Sequence, residues 1–319
     1  MIDRRLLLAM GLSAAAASPL RAAETGVLRI GYQKNGILVV AKQQGVIEAR
    51  LKPLGVGVRW SEFSAGPPLL EALGLGSIDL GQTGDAPPVF AQAAGANLVY
   101  AAAQPGGGSG SAILVAAASP IRTVADLKGK RVAFAKGSSA HNFIVVALEK
   151  AGLGYGDIEP VHLTPADGAA AFSRGAVDAW TVWDPYFAIA ERAPTTRILQ
   201  RVSDLMETHN YFLANADTAR QQPAVLAAVL DVLAEVASWC EANRSEVAAA
   251  LSKVTNVPLD ASQRAVERIR FTIAPMAPGT IADQQRVADR FHGLGLIARP
   301  VRVADAVWTP PADARFGRG

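Results

Sequence analysis

The chain has 319 residues, half of them hydrophobic and 18% charged, with a formal net charge of +3. That length and apolar fraction suffice for one large core or two smaller ones and exclude a disordered tail protein. No basic stripe is visible, which excludes an electrostatic nucleic-acid footprint, and the single cysteine, Cys240, excludes an intramolecular disulfide.

In chain order, Arg4 and Arg5 precede an apolar run from Leu6 to Ala17, then Ser18, Pro19 and small residues around Ala22 and Ala23. A basic start, a short apolar core and a small-residue end predict a cleaved signal peptide over residues 1–23. They also predict export to the periplasm by the Sec or the twin-arginine route. No later segment reaches about 18 unbroken apolar residues. Residues 27–32 alternate as a first strand, 33–36 form a polar turn, and 37–44 a helix stopped by Gly45. A second strand covers 56–63. Pro67 and Pro68 open a helix where their missing N–H groups cost nothing. A short strand at 78–80, a turn at Thr83–Asp85, a helix opened by Pro87 and Pro88, and a strand at 98–103 follow.

The loop PGGGSG (105–110) precedes a strand at 113–117, where a first crossing between lobes is expected. Strands at 131–135, 161–163 and 179–182 alternate with helices at 143–151, 165–174 and 185–192; 136–142 reads as a polar turn. Residues 211–214 are expected to cross back. Helices at 223–243, 246–253, 261–269 and 281–294 complete the chain. Strands alternating with helices of about ten residues predict an α/β fold with mostly parallel sheets. The expected division is lobe 1 at 24–112 plus 213–319 and lobe 2 at 113–212.

Two stretches share a rhythm. Gly76, Asp79 and Asp85 are spaced as Gly175, Asp178 and Asp184 are, each set ending before a proline-containing helix start. The strands that open the lobes echo each other as well, RIGYQKNG from Arg29 and RVAFAKG from Arg131. Two related lobes would thus offer strand-to-helix turns to a shared space, where open α/β sheets bind ligands.

Free N–H groups and the helix dipole suit such turns to anions. Ser138, Ser139 and Thr83 add hydroxyls, Lys34 or Lys136 a charge, and Trp183 an apolar cover. The implied ligand is a small organic anion. Asp85 and Asp184 either cap their helices or meet an amine of a zwitterionic ligand; Ser138 and Ser139 either cap or bind. Trp180 and Cys240 read as core residues. No HExxH, Walker or GxSxG pattern occurs and the four histidines lack metal-ligand spacing, so no cofactor, metal or catalytic group is expected.

The stretches 28–36 (LRIGYQKNG), 62–73, 76–95, 124–139 and 175–191 together resemble the periplasmic aliphatic-sulfonate-binding proteins of ABC importers, within the wider nitrate, sulfonate, taurine and thiamine-precursor binders. The resemblance implies a two-lobed periplasmic binding protein of type II character, joined by two crossing strands. It also implies a monomer partnered by an inner-membrane permease. Carried over by position, it makes Gln33, Lys34, Gly66, Pro67, Thr83, Gly84, Asp85, Ser138, Ser139, His141, Asn142, Trp183 and Asp184 the binding cleft. Ala65 and Pro68 depart from the Gly-Gly-Pro-Gln common in such proteins, and Asp85 stands where Glu is frequent. A receptor for nitrate, taurine or a thiamine-precursor pyrimidine is the alternative. A desulfinase-like enzyme on the same scaffold would need a nucleophile in the cleft, typically Cys.

Overall fold

A computed structural model describes residues 26–316; the expected signal peptide lies outside the described residues. The first half of the chain runs β1 (Gly26–Tyr32), α1 (Ile37–Gln44), α2 (Val46–Leu51), β2 (Val56–Glu62), α3 (Gly66–Gly74), β3 (Leu80–Gly84), α4 (Ala86–Ala93) and β4 (Leu98–Gln104). It continues through β5 (Ser111–Ala116), β6 (Arg131–Phe134), α5 (Ser139–Lys150), β7 (Glu159–His162), α6 (Pro165–Ser173), β8 (Ala179–Trp183), α7 (Tyr186–Ala190) and β9 (Thr196–Arg201). After β10 (Asn210–Asn215) come α8 (Ala216–Gln221), α9 (Pro223–Ala242), α10 (Arg244–Thr255), α11 (Leu259–Glu267) and α12 (Pro278–Gly293).

The strands form two five-stranded sheets of matching order, β2-β1-β3-β10-β4 and β7-β6-β8-β5-β9. The expectation of mostly parallel sheets needs correcting: each sheet has two parallel and two antiparallel pairings. The antiparallel member is β5 in one sheet and β10 in the other. Each is the first strand laid down after the chain passes from the other lobe, so it enters against the run of its neighbours. The passages themselves are the segments 105–110 and 202–209. Residues 113–116 and 211–214, read as crossings, belong instead to interior strands; the first passage is a loop and the second opens with a 3-10 turn at Val202–Asp204. Residues 111–112 thus pair in the second sheet, and 210–212 in the first.

Tertiary pairing also moves boundaries. Thr83 and Gly84 are the end of β3 and not a turn, because β10 pairs with them at Tyr211 and Asn210. A strand at 80–84 needs a partner about 130 residues away in sequence, which local pattern does not carry. Edge strand β9, none of whose residues is fully buried, went unanticipated for lack of a clear alternation.

The sequence repeat has a structural counterpart. Asp79 accepts hydrogen bonds from the Arg29 N–H (2.7 Å) and guanidinium (2.9 and 2.6 Å). Asp178 does the same for Arg131 at 2.9, 3.1 and 3.0 Å. The return bonds, Asp79 N–H to the Arg29 carbonyl and Asp178 N–H to that of Arg131, complete both clamps. Gly76 and Gly175 turn into these aspartates with φ of 70° and 68°, a left-handed conformation that glycine adopts without strain. The clamps lock the approach to β3 against the middle of β1 and the approach to β8 against the start of β6.

Each sheet is covered on both faces. In the first, Leu38, Val39 and Val40 of α1 pack with Leu226, Leu230 and Leu233 of α9 on one side. On the other, Leu69, Leu70 and Leu73 of α3 pack with Val287 and Phe291 of α12. Each such side chain contributes about 1.5–3 kcal/mol by burial. Among the described residues, α9 is long and apolar enough to cross a membrane by length and composition. Asp231 and Glu235 interrupt its apolar run, and half of it is buried against the sheet as a core helix. Cys240 of α9 is fully buried and burial pushes its thiol up to about 12, consistent with its reading as a small hydrophobe. Trp180 is likewise a core residue of the second lobe.

Candidate binding cleft

Strands β1, β3, β6 and β8 all point their C-terminal ends at the space between the sheets, and a cavity of about 150 Å³ lies there. Ten of the thirteen predicted site residues line it: Gln33, Lys34, Gly66, Thr83, Gly84, Asp85, Ser138, Ser139, Trp183 and Asp184. Pro67, His141, Asn142 and the alternative cation Lys136 do not.

Pro67 sits in the first turn of α3, where it has no N–H to offer. His141 and Asn142 were read as part of a polar turn, but α5 already begins at Ser139. At 3.6 residues per turn, positions two and three further on rotate away from the face that Ser139 presents. Asn142 is fully buried; its Nδ2 donates to Asp85 Oδ2 at 2.6 Å and its Oδ1 accepts from Arg290 at 3.3 Å. It holds a cleft residue in place and ties the lobes together.

His141 is fully buried, its ring stacked on Phe134 with centroids 4.9 Å apart, and its Nδ1 accepts from the Gly137 N–H at 3.1 Å. Nε2 is buried without a partner. Burial first, then the nearby His162 and Lys136, pushes this imidazole down to about 3 from 6.5. In the unfolded chain it protonates at the ordinary value, so unfolding takes up a proton in that interval and stability falls as pH falls through it. His141→Gln is expected to remove about one proton from this linkage, about 1.4 kcal/mol per pH unit. Urea melts of both proteins across the acid range check it.

The two aspartates cap. Asp85 Oδ1 accepts from the Ala86 N–H at 2.7 Å. Burial pushes its carboxyl up, against the hydrogen bonds from Asn142, Ala86 and Ser139. Asp184 Oδ1 accepts from the Ala188 N–H at 2.9 Å and both of its oxygens face Arg268, at 3.2 and 3.4 Å. Burial lifts Asp184 to about 6, with Arg268 pulling the other way. The bond between Asp184 and Pro185 is cis, and Pro185 is the cap residue of α7 rather than its first helical residue.

The helix starts without such caps are the cleft's donors. Ser138 is the N-cap residue of α5, yet its hydroxyl turns away and donates to the Ala135 carbonyl at 2.7 Å. The N–H groups of Ser139 and Ala140 therefore have neither a helical acceptor nor a side-chain cap, at a position where Ser138 is only 2% exposed; the His141 N–H closes on the Ser138 carbonyl at 2.9 Å. The cap residue of α3 is Ala65, which has no acceptor to give, and that of α1 is Gly36. Lys34 is half exposed and pairs with Glu62 at 3.4 Å, a surface pair of small energetic weight.

The sequence reading missed an amide relay on the cleft wall. Gln33 Nε2 donates to the Gln82 carbonyl (3.2 Å), Gln82 Nε2 to Gln104 Oε1 (2.6 Å), and Gln104 Nε2 to the Arg270 carbonyl. Asn35, Asn210 and Arg268 also line the cavity, as do the apolar Leu251, Ala265 and Ile269. Gln82 in the middle of β3 and Gln104 at the end of β4 were visible as polar residues in apolar strands. Nothing local marked the α10–α11 contributions.

Two lobes of equivalent topology, presenting strand ends and open helix starts to one cleft, define a two-lobed binding-protein architecture. The chain belongs to the NMT1-like family, whose model matches residues 18–255. It is similar to the periplasmic aliphatic sulphonate binding protein SsuA from Escherichia coli, with 43% identity and a TM-score of 0.81 over 89% of this chain and 92% of that one. It is also similar to the alkanesulfonate-binding protein SsuA from Xanthomonas axonopodis pv. citri bound to MOPS. There the identity is 41% and the TM-score 0.84 over 90% of this chain and 99% of that one. The desulfurization enzyme DSZB, at 16% identity and a TM-score of 0.66 over 89% of this chain and 96% of that one, shares the fold.

Proposed function

We propose that the protein is an exported solute receptor that holds an alkanesulfonate between its lobes and delivers it, as a monomer, to an inner-membrane ABC permease. The observation that carries this reading is the buried, uncapped start of α5 facing Thr83 and Gly84 across the cleft. A sulfonate spreads one charge over three oxygens, so neutral N–H, hydroxyl and amide donors on a helix dipole can hold it without a free cation. Leu251, Ile269 and Trp183 offer apolar surface to the organic remainder. The similarity to two sulfonate-binding proteins over most of the chain supports the same ligand class. We assign residues 26–104 and 210–316 to lobe 1 and 111–201 to lobe 2. A desulfinase-like activity is disfavoured, since no cysteine lines the cleft and Cys240 lies in the lobe 1 core.

Both cleft aspartates are engaged, so an ammonium group brought into the cleft would lack a free carboxylate and pay for its lost hydration. Calorimetric titration is therefore expected to give one-to-one saturable binding of ethanesulfonate. Taurine, its amino analogue, should bind about tenfold more weakly, about 1.4 kcal/mol. Nitrate and sulfate should be weaker still, lacking the tail. Absence of binding to every sulfonate, with tight binding of a neutral pyrimidine, would reject the reading.

A further inference from the structure

A second contact joins the lobes on the side of α7. Ala188 packs with Val257, Ala261 and Ala265, an apolar cluster shared between lobe 2 and the α10–α11 region of lobe 1. Glu191 follows α7 directly, its side chain 8% exposed. Its carboxylate faces three arginines: Arg268 in direct contact, Arg264 at 3.8 Å and Arg201 at 3.9 Å. Arg264 and Arg268 come from lobe 1 and Arg201 from lobe 2. Arg268 also reaches Asp184 and lies over the Phe187 ring at 4.1 Å from its centroid. Its own carbonyl accepts from the Ser109 N–H at 3.0 Å, which anchors it to the first passage between lobes.

We propose that Glu191 and Arg268 form an interlobe latch that sets how long a bound anion is retained, although Glu191 does not line the cleft. The ligand side of this inference rests on the receptor reading above. These groups meet across the lobe boundary, so opening would return them to water and closing strip it away. In the closed form a guanidinium whose carboxylate partner has been neutralised is buried with one acceptor fewer, which costs more than the pair is worth against an apolar substitute. Neutralising Glu191 therefore raises the free energy of the closed form and shifts population towards the open one. Asp184 links the latch to the cleft, because it lines the cavity, caps α7 and binds Arg268.

The test compares the wild type with Glu191→Gln, an isosteric change. In the ligand-free proteins, amide hydrogen exchange is expected to quicken in α7 and α11 while the strands of both sheets stay as protected as before. In stopped-flow tryptophan fluorescence with ethanesulfonate, dissociation should be about tenfold faster with little change in association, as for a shifted closed population. Arg268→Lys, which keeps the charge but not the fork, should fall between the two proteins. Unchanged exchange in α7 and α11, or an unchanged dissociation rate, would overturn the latch. A wild type that binds no sulfonate would overturn the receptor reading instead, and the exchange arm would then decide the latch alone.

Discussion

A Gly84→Val variant is expected to fold normally and to lose about a hundredfold in affinity for short alkanesulfonates, about 2.8 kcal/mol. A Cβ on Gly84 would lie 1.9 Å from Ser139 Oγ and 3.1 Å from Ser139 Cβ. The hydroxyl can rotate away, but the Cβ of Ser139 belongs to the first turn of α5 and moves only with the helix. The obstruction lies between lobes: the nearest contact within lobe 1 is Asn210 Oδ1 at 3.5 Å, an ordinary separation. The added side chain is thus tolerated when the lobes part and blocks them when they meet. Thermal melts with and without ligand check the split. A saturating ligand at about a thousand times its Kd stabilises the wild type by about 4 kcal/mol. At the same concentration the variant should gain only about 1.4 kcal/mol, while its ligand-free Tm stays close to that of the wild type. Wild-type affinity in the variant would show that ligand is held without Gly84 and Ser139 coming together.

The two Arg–Asp clamps should differ in energetic weight despite their shared pattern. Asp79→Ala is expected to cost about 3 kcal/mol of unfolding free energy and Asp178→Ala about 1 kcal/mol. The Asp79 side chain is 5% exposed and that of Asp178 is 32% exposed. Asp79 also accepts from Thr218 Oγ1 at 3.0 Å, which binds α8 to the clamp. Its removal leaves a backbone N–H and a hydroxyl without their acceptor around a buried position, while the Arg29 guanidinium, 37% exposed, keeps water. Around Asp178, water can replace what is lost. Urea denaturation of the two variants measures the difference, and equal losses would mean that the number of bonds rather than burial decides. Affinity for ligand should be unchanged in both, because neither clamp lines the cleft.

Much of the architecture was legible in the residues. Period-two alternation, paired prolines at helix starts and glycines at helix ends located most strands and helices, since these signals act within a few residues. The Gly–Asp repeat announced two equivalent lobes, and its aspartates prove to be clamps and caps, as local capping chemistry allows. The positions that line the cleft from strand ends, Gln33, Thr83, Gly84 and Trp183, were found because a strand-to-helix turn in an α/β lobe has one place to point.

What failed to appear locally depends on partners far along the chain. The start of α5 at Ser139 turned His141 and Asn142 inward, and the pairing of β3 with β10 carried the strand through Thr83. Composition and order of residues determined two α/β lobes, their repeated clamps and a set of donors at strand ends, because each follows from steric and hydrogen-bonding preferences within a turn or two. Tertiary structure alone decided which donors stay open, which aspartates are already spent, and that Arg268 and Glu191 meet. Those outcomes depend on desolvation and contact between groups brought together from opposite lobes, and no local preference encodes that distance.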